Sequence, residues 1–210
     1  MASETTTPNN GNSNSDVPVI VDGVRTPFLR SNGAFSNFMA YDLGRLAISG
    51  LMGKTGLSPK EVDQVIYGIV VPDPSTPNIA RECMLGAGLS NNTPAHTVSM
   101  ACITSNMAAT TAADQIRLGK CKTAVIGGVD HMSDPPIRVS RNLRQALIRL
   151  QKAKSPAQVF GQIRKLSFKD LMPQVPSITE FSNGLTMGQG CERMAMAMGA
   201  TRKESDEFAA

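Results

Sequence analysis

The stretch Ala95-His-Thr-Val-Ser-Met-Ala-Cys-Ile-Thr-Ser-Asn106 constrains the architecture of this 210-residue chain more than any other. Its first half, Ala95 to Met100, reads as a strand. Its second half opens a helical pattern in which Ala108, Ala112 and Ile116 recur at four-residue spacing, with Gly119-Lys120 as the stop. Cys102 therefore stands where a strand ends and a helix begins. A helix N-terminus carries unpaired N–H groups and a partial positive charge, a setting that favours the thiolate, the nucleophilic form of cysteine. The other reading is that Cys102 is a small buried hydrophobe, as most cysteines are. Both readings stay open on these residues alone.

The rest of the chain repeats the strand-then-helix rhythm. Val17-Pro-Val-Ile-Val-Asp22, closed by Gly23, reads as a buried first strand, and Tyr41 to Met52 as a helix with Leu43, Leu46, Ala47 and Leu51 on its apolar face. Arg25 is either a clamp between layers or a loop arginine. Ser58-Pro59 starts a short turn. Val65 to Val71 reads as the second strand, Asn78 to Leu89 as a helix with Cys83 in the core, and Lys122 to Val129 as the fourth strand after Ala95–Met100. Alternation of this kind predicts βαβ crossovers and an α/β fold with a mostly parallel sheet. His96 and His131 read as core or rim histidines.

Composition excludes several classes. No apolar run approaches the length of a membrane span. The four cysteines, Cys83, Cys102, Cys121 and Cys191, lack C-x-x-C spacing, which argues against a zinc site and a disulfide framework and fits a reducing compartment. Residues 1–16 are rich in Ser, Thr and Asn without Lys, Arg or an apolar run, and read as a disordered tail. The expected location is cytoplasmic.

The net charge of +4 conceals an asymmetry. Pro135 to Lys169 holds nine Lys/Arg and no Asp/Glu, leaving 12 basic residues against 17 acidic ones elsewhere. Leu143, Leu147 and Leu150, then Val159, Ile163 and Leu166, make two apolar stripes, so the segment reads as two short basic helices joined at Ser155-Pro156. Beside a plain solvated face, the charge suits phosphate groups or an anionic membrane surface. Nucleic acid is not expected, since only Phe160 and Phe168 could stack on bases. Met187 to Met198 returns to helix, and Thr201-Arg-Lys-Glu204 is a capping box for a last one.

Met100-Ala-Cys102-Ile-Thr-Ser-Asn106 followed by Gly127-Gly-Val-Asp-His-Met-Ser133 resembles the thiolase family, with its C-x-S-(G/N) and G-G-x-E-x-M-S motifs. Val21-Asp-Gly-Val-Arg-Thr-Pro-Phe28, Thr186-Met-Gly188 and Arg202 to Ala209 extend the resemblance. Asn106 and the basic insert are most similar to the β-subunits of fatty-acid-oxidation trifunctional complexes. Thr104 replaces the usual Ser, Met107 a Gln, and Asp130 the longer Glu.

The resemblance implies the N-terminal half of a five-layer αβαβα sandwich. Its organisation would be a tail over 1–16, a domain core over 17–134, a basic loop-domain insert over 135–185, and following helices over 186–210 that run on into a further half. It implies thiolytic cleavage of 3-oxoacyl-CoA to acetyl-CoA and a shortened acyl-CoA. Cys102 would be the acyl-thioester nucleophile and its N–H part of an oxyanion hole; coenzyme A would be a co-substrate, with no metal and no permanently bound cofactor. Partners would be acyl-CoA substrates and either a second copy or a β-oxidation subunit. The histidine, second cysteine and Asn or His that complete the family's chemistry match nothing in these residues. A helix terminus contributes only about 1 kcal/mol, too little to replace a base. The alternatives are a ketoacyl-synthase-type condensing enzyme and a non-catalytic binding or scaffolding chain.

Overall fold

The computed structural model describes residues 17–174 and 177–210, so the tail expected over 1–16 lies outside the described residues. The chain divides into two compact units, up to Pro136 and from Ile137 onward.

In the first unit, three strands form a parallel sheet: β1 (Gln64–Gly68), β2 (Ala95–Val98) and β3 (Ala124–Gly128), in the order β2-β1-β3. Three helices accompany them, α1 (Ala40–Thr55), α2 (Ile79–Gly86) and α3 (Thr104–Arg117). The pleat of β1 sorts the core into two layers. Val65, Tyr67 and Ile69 face one way and pack with Ile48 of α1 and Ile79, Ala80, Cys83 and Met84 of α2. Ile66 faces the other way and meets Ala108 and Ala112 of α3. Because β1 is covered on both faces, it reads as a continuous apolar run.

Local chemistry sets the helix ends. Asp42 accepts from the Met39 N–H at 2.9 Å at the start of α1, and Gly56 closes it at φ 68°, a left-handed conformation that suits glycine. Asn78 caps α2 through the Arg81 N–H, while its amide donates to the Ala95 carbonyl at 3.1 Å and so ties the helix to β2. At the start of the sheet, the Asp63 carboxylate accepts from the Lys122 and Thr123 N–H groups at 2.7 and 3.0 Å, joining the entry of β1 to that of β3.

The structure corrects one expected element. Residues 17–22 form no strand: Val19, Ile20 and Val21 are 75%, 88% and 87% exposed. A two-sided apolar strand requires a hydrogen-bonded neighbour and a layer on each face, and residues 17–22 have neither here, pairing with no strand of the β2-β1-β3 sheet. The second, third and fourth strands are also shorter than expected. They stop where the chain turns into the loops at the sheet's carboxyl edge.

The second unit holds α4 (Arg141–Leu150), α5 (Pro156–Ile163), α6 (Met187–Met198) and α7 (Arg202–Ala209). Ser140, Ser155, Thr186 and Thr201 cap them in turn, the last with the expected Glu204 box. Asp170 accepts from Ser140 Oγ and Asn142 Nδ2, both at 3.1 Å, which fastens the turn around 168–171 to the start of α4. The expected apolar stripes are barely covered, and Leu147, Val159 and Ile163 stay exposed.

The two N–H groups donated by Lys122 and Thr123 hold the Asp63 carboxyl below its ordinary value. Its contribution to stability is therefore present above the ordinary carboxylate range and is lost as the pH falls through the lowered folded value. Urea unfolding of wild type and Asp63→Asn should show a stability gap at about pH 7 that shrinks below about pH 4. An equal gap at both pH values would contradict this assignment.

Candidate active site

Everything near Cys102 sits at the carboxyl edge of the parallel sheet. The connection from β1 steps outward to β2, and the connection from β2 reverses past β1 to β3, with α2 and α3 on opposite faces. A reversal of this kind leaves a crevice beyond the strand ends, where open α/β sheets bind ligands. Here it is an open cleft of about 310 Å³ lined by Val70, Cys102, Ser105 and Asp130, among others.

The turn that carries Cys102 is short and strained. Ala101 holds φ at 46°, a left-handed value that a residue with a side chain adopts at a cost of about 1 kcal/mol or more. Thr104 Oγ1 accepts from the Met100 N–H at 2.7 Å and donates to the Ala101 carbonyl at 2.6 Å, pinning both sides of that residue. The backbone adds Ile103 N–H to Met100 O and Thr104 N–H to Ala101 O, each at 3.2 Å. The result projects Cys102 as an exposed free thiol. The helix begins slightly later than the sequence suggests: Ile103 is the cap and Thr104 the first helical residue. Among the described residues, no carbonyl accepts from the N–H of Cys102, Ser105 or Asn106, as is usual at a helix start.

Two glycines let this turn sit directly on the sheet. A Cβ at Gly68 would collide with the Thr104 methyl, and one at Gly128 would collide with Ser105 Oγ. Gly127, on the other face, makes room for the Tyr67 ring, its partner in register. The adjacent glycines of Gly127-Gly-Val-Asp thus serve opposite faces of one strand. Asp130 closes the site. Its Oδ1 accepts from the Val70 and Val71 N–H groups at 3.0 and 2.8 Å, with Oδ2 3.2 Å from the Val70 nitrogen.

Sequence reasoning singled out Cys102 but missed Thr104 and Asp130 as structural parts of the site. The signal for both lay in their places inside motifs whose geometry appears only when β2 and β3 flank β1. Neither histidine lines this cleft. His96 lies on β2, 3.5 Å from Gln64 Nε2, and His131 is buried in a separate cleft of about 470 Å³ formed with residues 22–31. Arg25 stays exposed over the Phe28 ring at 4.5 Å, the loop reading of the two. Cys83 is fully buried, as expected, and burial pushes its thiol up to about 12. Burial also raises the Cys121 thiol. No cluster of potential metal ligands occurs among the described residues.

Residues 18–210 match the family profile described as thiolase, N-terminal domain. The chain belongs to the thiolase family. It is 48% identical over 191 residues to the mitochondrial trifunctional enzyme subunit beta of Bos taurus, an alignment that covers 91% of this chain and 40% of the relative. It is 43% identical over 190 residues to a 3-ketoacyl-CoA thiolase of Aliivibrio fischeri, covering 90% and 43%. Among solved structures, the Bacillus anthracis acetyl-CoA acetyltransferase superposes with a TM-score of 0.69 at 26% identity, over 90% of this chain and 44% of that one. The chain spans well under half the length of these relatives. The family assignment carries the thiolase fold with it, of which the parallel sheet and its helices are the part seen here.

Cys102 should be alkylated by limiting iodoacetamide before Cys83 and Cys121, and faster than the exposed Cys191, which lacks the strained turn. Gly128→Ala, by lifting the first turn of α3, should slow Cys102 about tenfold while leaving Cys191 unchanged. Mass-spectrometric mapping reads both. Preferential labelling of Cys191, or a Gly128→Ala chain that labels like wild type, would contradict the site geometry.

Proposed function

We propose that this chain supplies the acyl-accepting part of a thiolase that cleaves 3-oxoacyl-CoA with coenzyme A in fatty-acid β-oxidation. The observation that carries the reading is the Cys102 turn: an exposed thiol on a strained corner, between β2 and the start of α3 at the carboxyl edge of a parallel sheet. In this reaction Cys102 Sγ attacks the 3-oxo carbon, and the oxygen takes the electron pair of the broken π bond. In this reading the Cys102 N–H contributes to the hole that stabilises that oxyanion. Collapse of the adduct re-forms the carbonyl and breaks the C2–C3 bond. The electrons leave on C2, which takes a proton and departs as acetyl-CoA. The shortened acyl group remains as a thioester on Cys102 until the thiolate of a second coenzyme A displaces it, regenerating the cysteine.

Three proton movements in this scheme need an acid/base: the Cys102 thiol gives up its proton on attack, C2 receives one, and the thiol of the second coenzyme A gives one up. Among the described residues no histidine or second cysteine lines the Cys102 cleft. The 210 residues alone should therefore be inactive in thiolysis. Acetoacetyl-CoA cleavage by the isolated chain should be undetectable. Co-expression with the remaining portion of a 3-ketoacyl-CoA thiolase should yield turnover that Cys102→Ala abolishes. Turnover by the lone chain, or wild-type turnover by the complemented Cys102→Ala protein, would overturn the reading.

A second proposal concerns the unit from Ile137 onward and an anionic membrane surface. Phe160, Ile163 and Phe168 are all more than half exposed, within Pro135 to Lys169, where every charge is positive. Exposed apolar side chains among lysines and arginines suit the headgroup boundary of an anionic bilayer. Co-sedimentation with phosphatidylserine-containing vesicles should exceed that with phosphatidylcholine vesicles at low salt and fall at high salt. Equal binding to both vesicle types would remove the electrostatic reading.

A further inference from the structure

We propose that Asp130 is a positioning residue that sets the width of the Cys102 cleft by clamping the corner at Val70 and Val71. This rests on reading Cys102 as the acyl-accepting thiol. The corner follows β1 directly, and it is fastened at three consecutive N–H groups: Ile69 donates to the Val98 carbonyl at 3.3 Å, and Val70 and Val71 donate to Asp130. Only the first of these bonds belongs to the backbone. The other two depend on one carboxylate delivered from the end of β3, the strand beside β1. Val129 N–H, donating to the Gly68 carbonyl at 2.9 Å, holds the base of that carboxylate in place.

Val70 and Asp130 both line the cleft that contains Cys102. Val70 is 43% exposed, so its side chain forms wall and not core. Another part of the lining is the Ala101–Ser105 turn, seated on Gly68 through Thr104 and on Gly128 through Ser105. One part is thus fixed by close packing, and the other by hydrogen bonds to a single side chain. A carboxylate that accepts N–H groups makes stronger bonds than a neutral acceptor, which suits it to holding a corner against an entering substrate. Asp130 does not need to touch the reacting atoms for this role. It acts through Val70 and Val71.

The test compares N-ethylmaleimide with N-(1-pyrenyl)maleimide, which share a reactive group and differ in bulk. Labelling rates at Cys102 are measured relative to Cys191 in the full 210-residue chain. Asp130→Ala should lower amide-exchange protection at Val70 and Val71 about tenfold or more. It should also change the small-to-bulky rate ratio at Cys102 about fivefold. Asp130→Asn keeps one oxygen that can accept both N–H groups, and should restore most of the protection and the ratio. Val70→Ala trims the wall without touching the clamp, and should shift the ratio in the same direction as Asp130→Ala.

Three results would overturn the proposal. One is an unchanged ratio in Asp130→Ala despite opened amides. Another is unchanged protection of Val70 and Val71. The third is an Asp130→Asn chain with protected amides but the Ala-like ratio, which would assign the effect to charge and not to position. If Asp130→Ala fails to fold, Val70→Ala and Asp130→Asn decide the matter, and a wild-type ratio in Val70→Ala overturns it. The maleimides need no acyl donor. The ratio therefore decides the role of Asp130 even where the complemented Cys102→Ala protein turns over acetoacetyl-CoA like wild type, the result that would count against the acyl-transfer reading alone.

Discussion

The first turn of α3 rests directly on the ends of β1 and β3, and the geometry around Cys102 depends on that contact. Helix and sheet approach this closely only because Gly68 and Gly128 carry no side chain where Thr104 and Ser105 come down. The contact leaves little room between Val98 and Thr104, and the chain crosses that gap with Ala101 in a left-handed conformation. Cys102 is pushed out of the core as a consequence. Thr104 then converts strain into a fixed shape, since its hydroxyl bonds both the residue before and the carbonyl of Ala101. A longer, relaxed connection would leave the thiol free to sample many orientations.

Two carboxylates do for the sheet what the glycines do for the helix. Asp63 joins the entry of β1 to residues 122–123, and Asp130 joins the exit of β3 to residues 70–71. Each carboxylate accepts N–H groups where ladder hydrogen bonding ends, the place at which a short parallel pair would otherwise fray. The two are not equivalent in consequence. Asp63 lies away from the cleft, while Asp130 lines it. The same chemical device therefore serves stability at one edge and site shape at the other.

The pattern of small and apolar residues made much of this legible in advance. Alternating strand and helix signals led to a parallel α/β sheet. Cys102 at a strand-to-helix junction, Cys83 in the core, the basic segment and the Thr201 capping box could each be read from spacing. Residues 17–22 show where such reading fails. Their β-branched run has the same local signature as Val65–Val71, yet only the latter finds strands on both sides and helices on both faces. Strand formation is a property of the pair. A run of valines cannot declare its own partner.

What the sequence determined by itself was periodicity and punctuation: which segments turn helical, where caps stop them, and that a cysteine stands between a strand and a helix. It also carried the family, through motifs that span nearly the whole chain. What only the tertiary structure decided was the meaning of residues that act across the sheet. Gly68 and Gly128 are adjacent in register though 60 positions apart, and Asp130 reaches Val70 over the same separation. Thr104 is a helix residue by sequence and the buttress of a strained turn in the fold. The physical reason is common to all of them. Close approach and hydrogen bonding between distant segments depend on the register of β1 against β3, and local pattern does not specify that register.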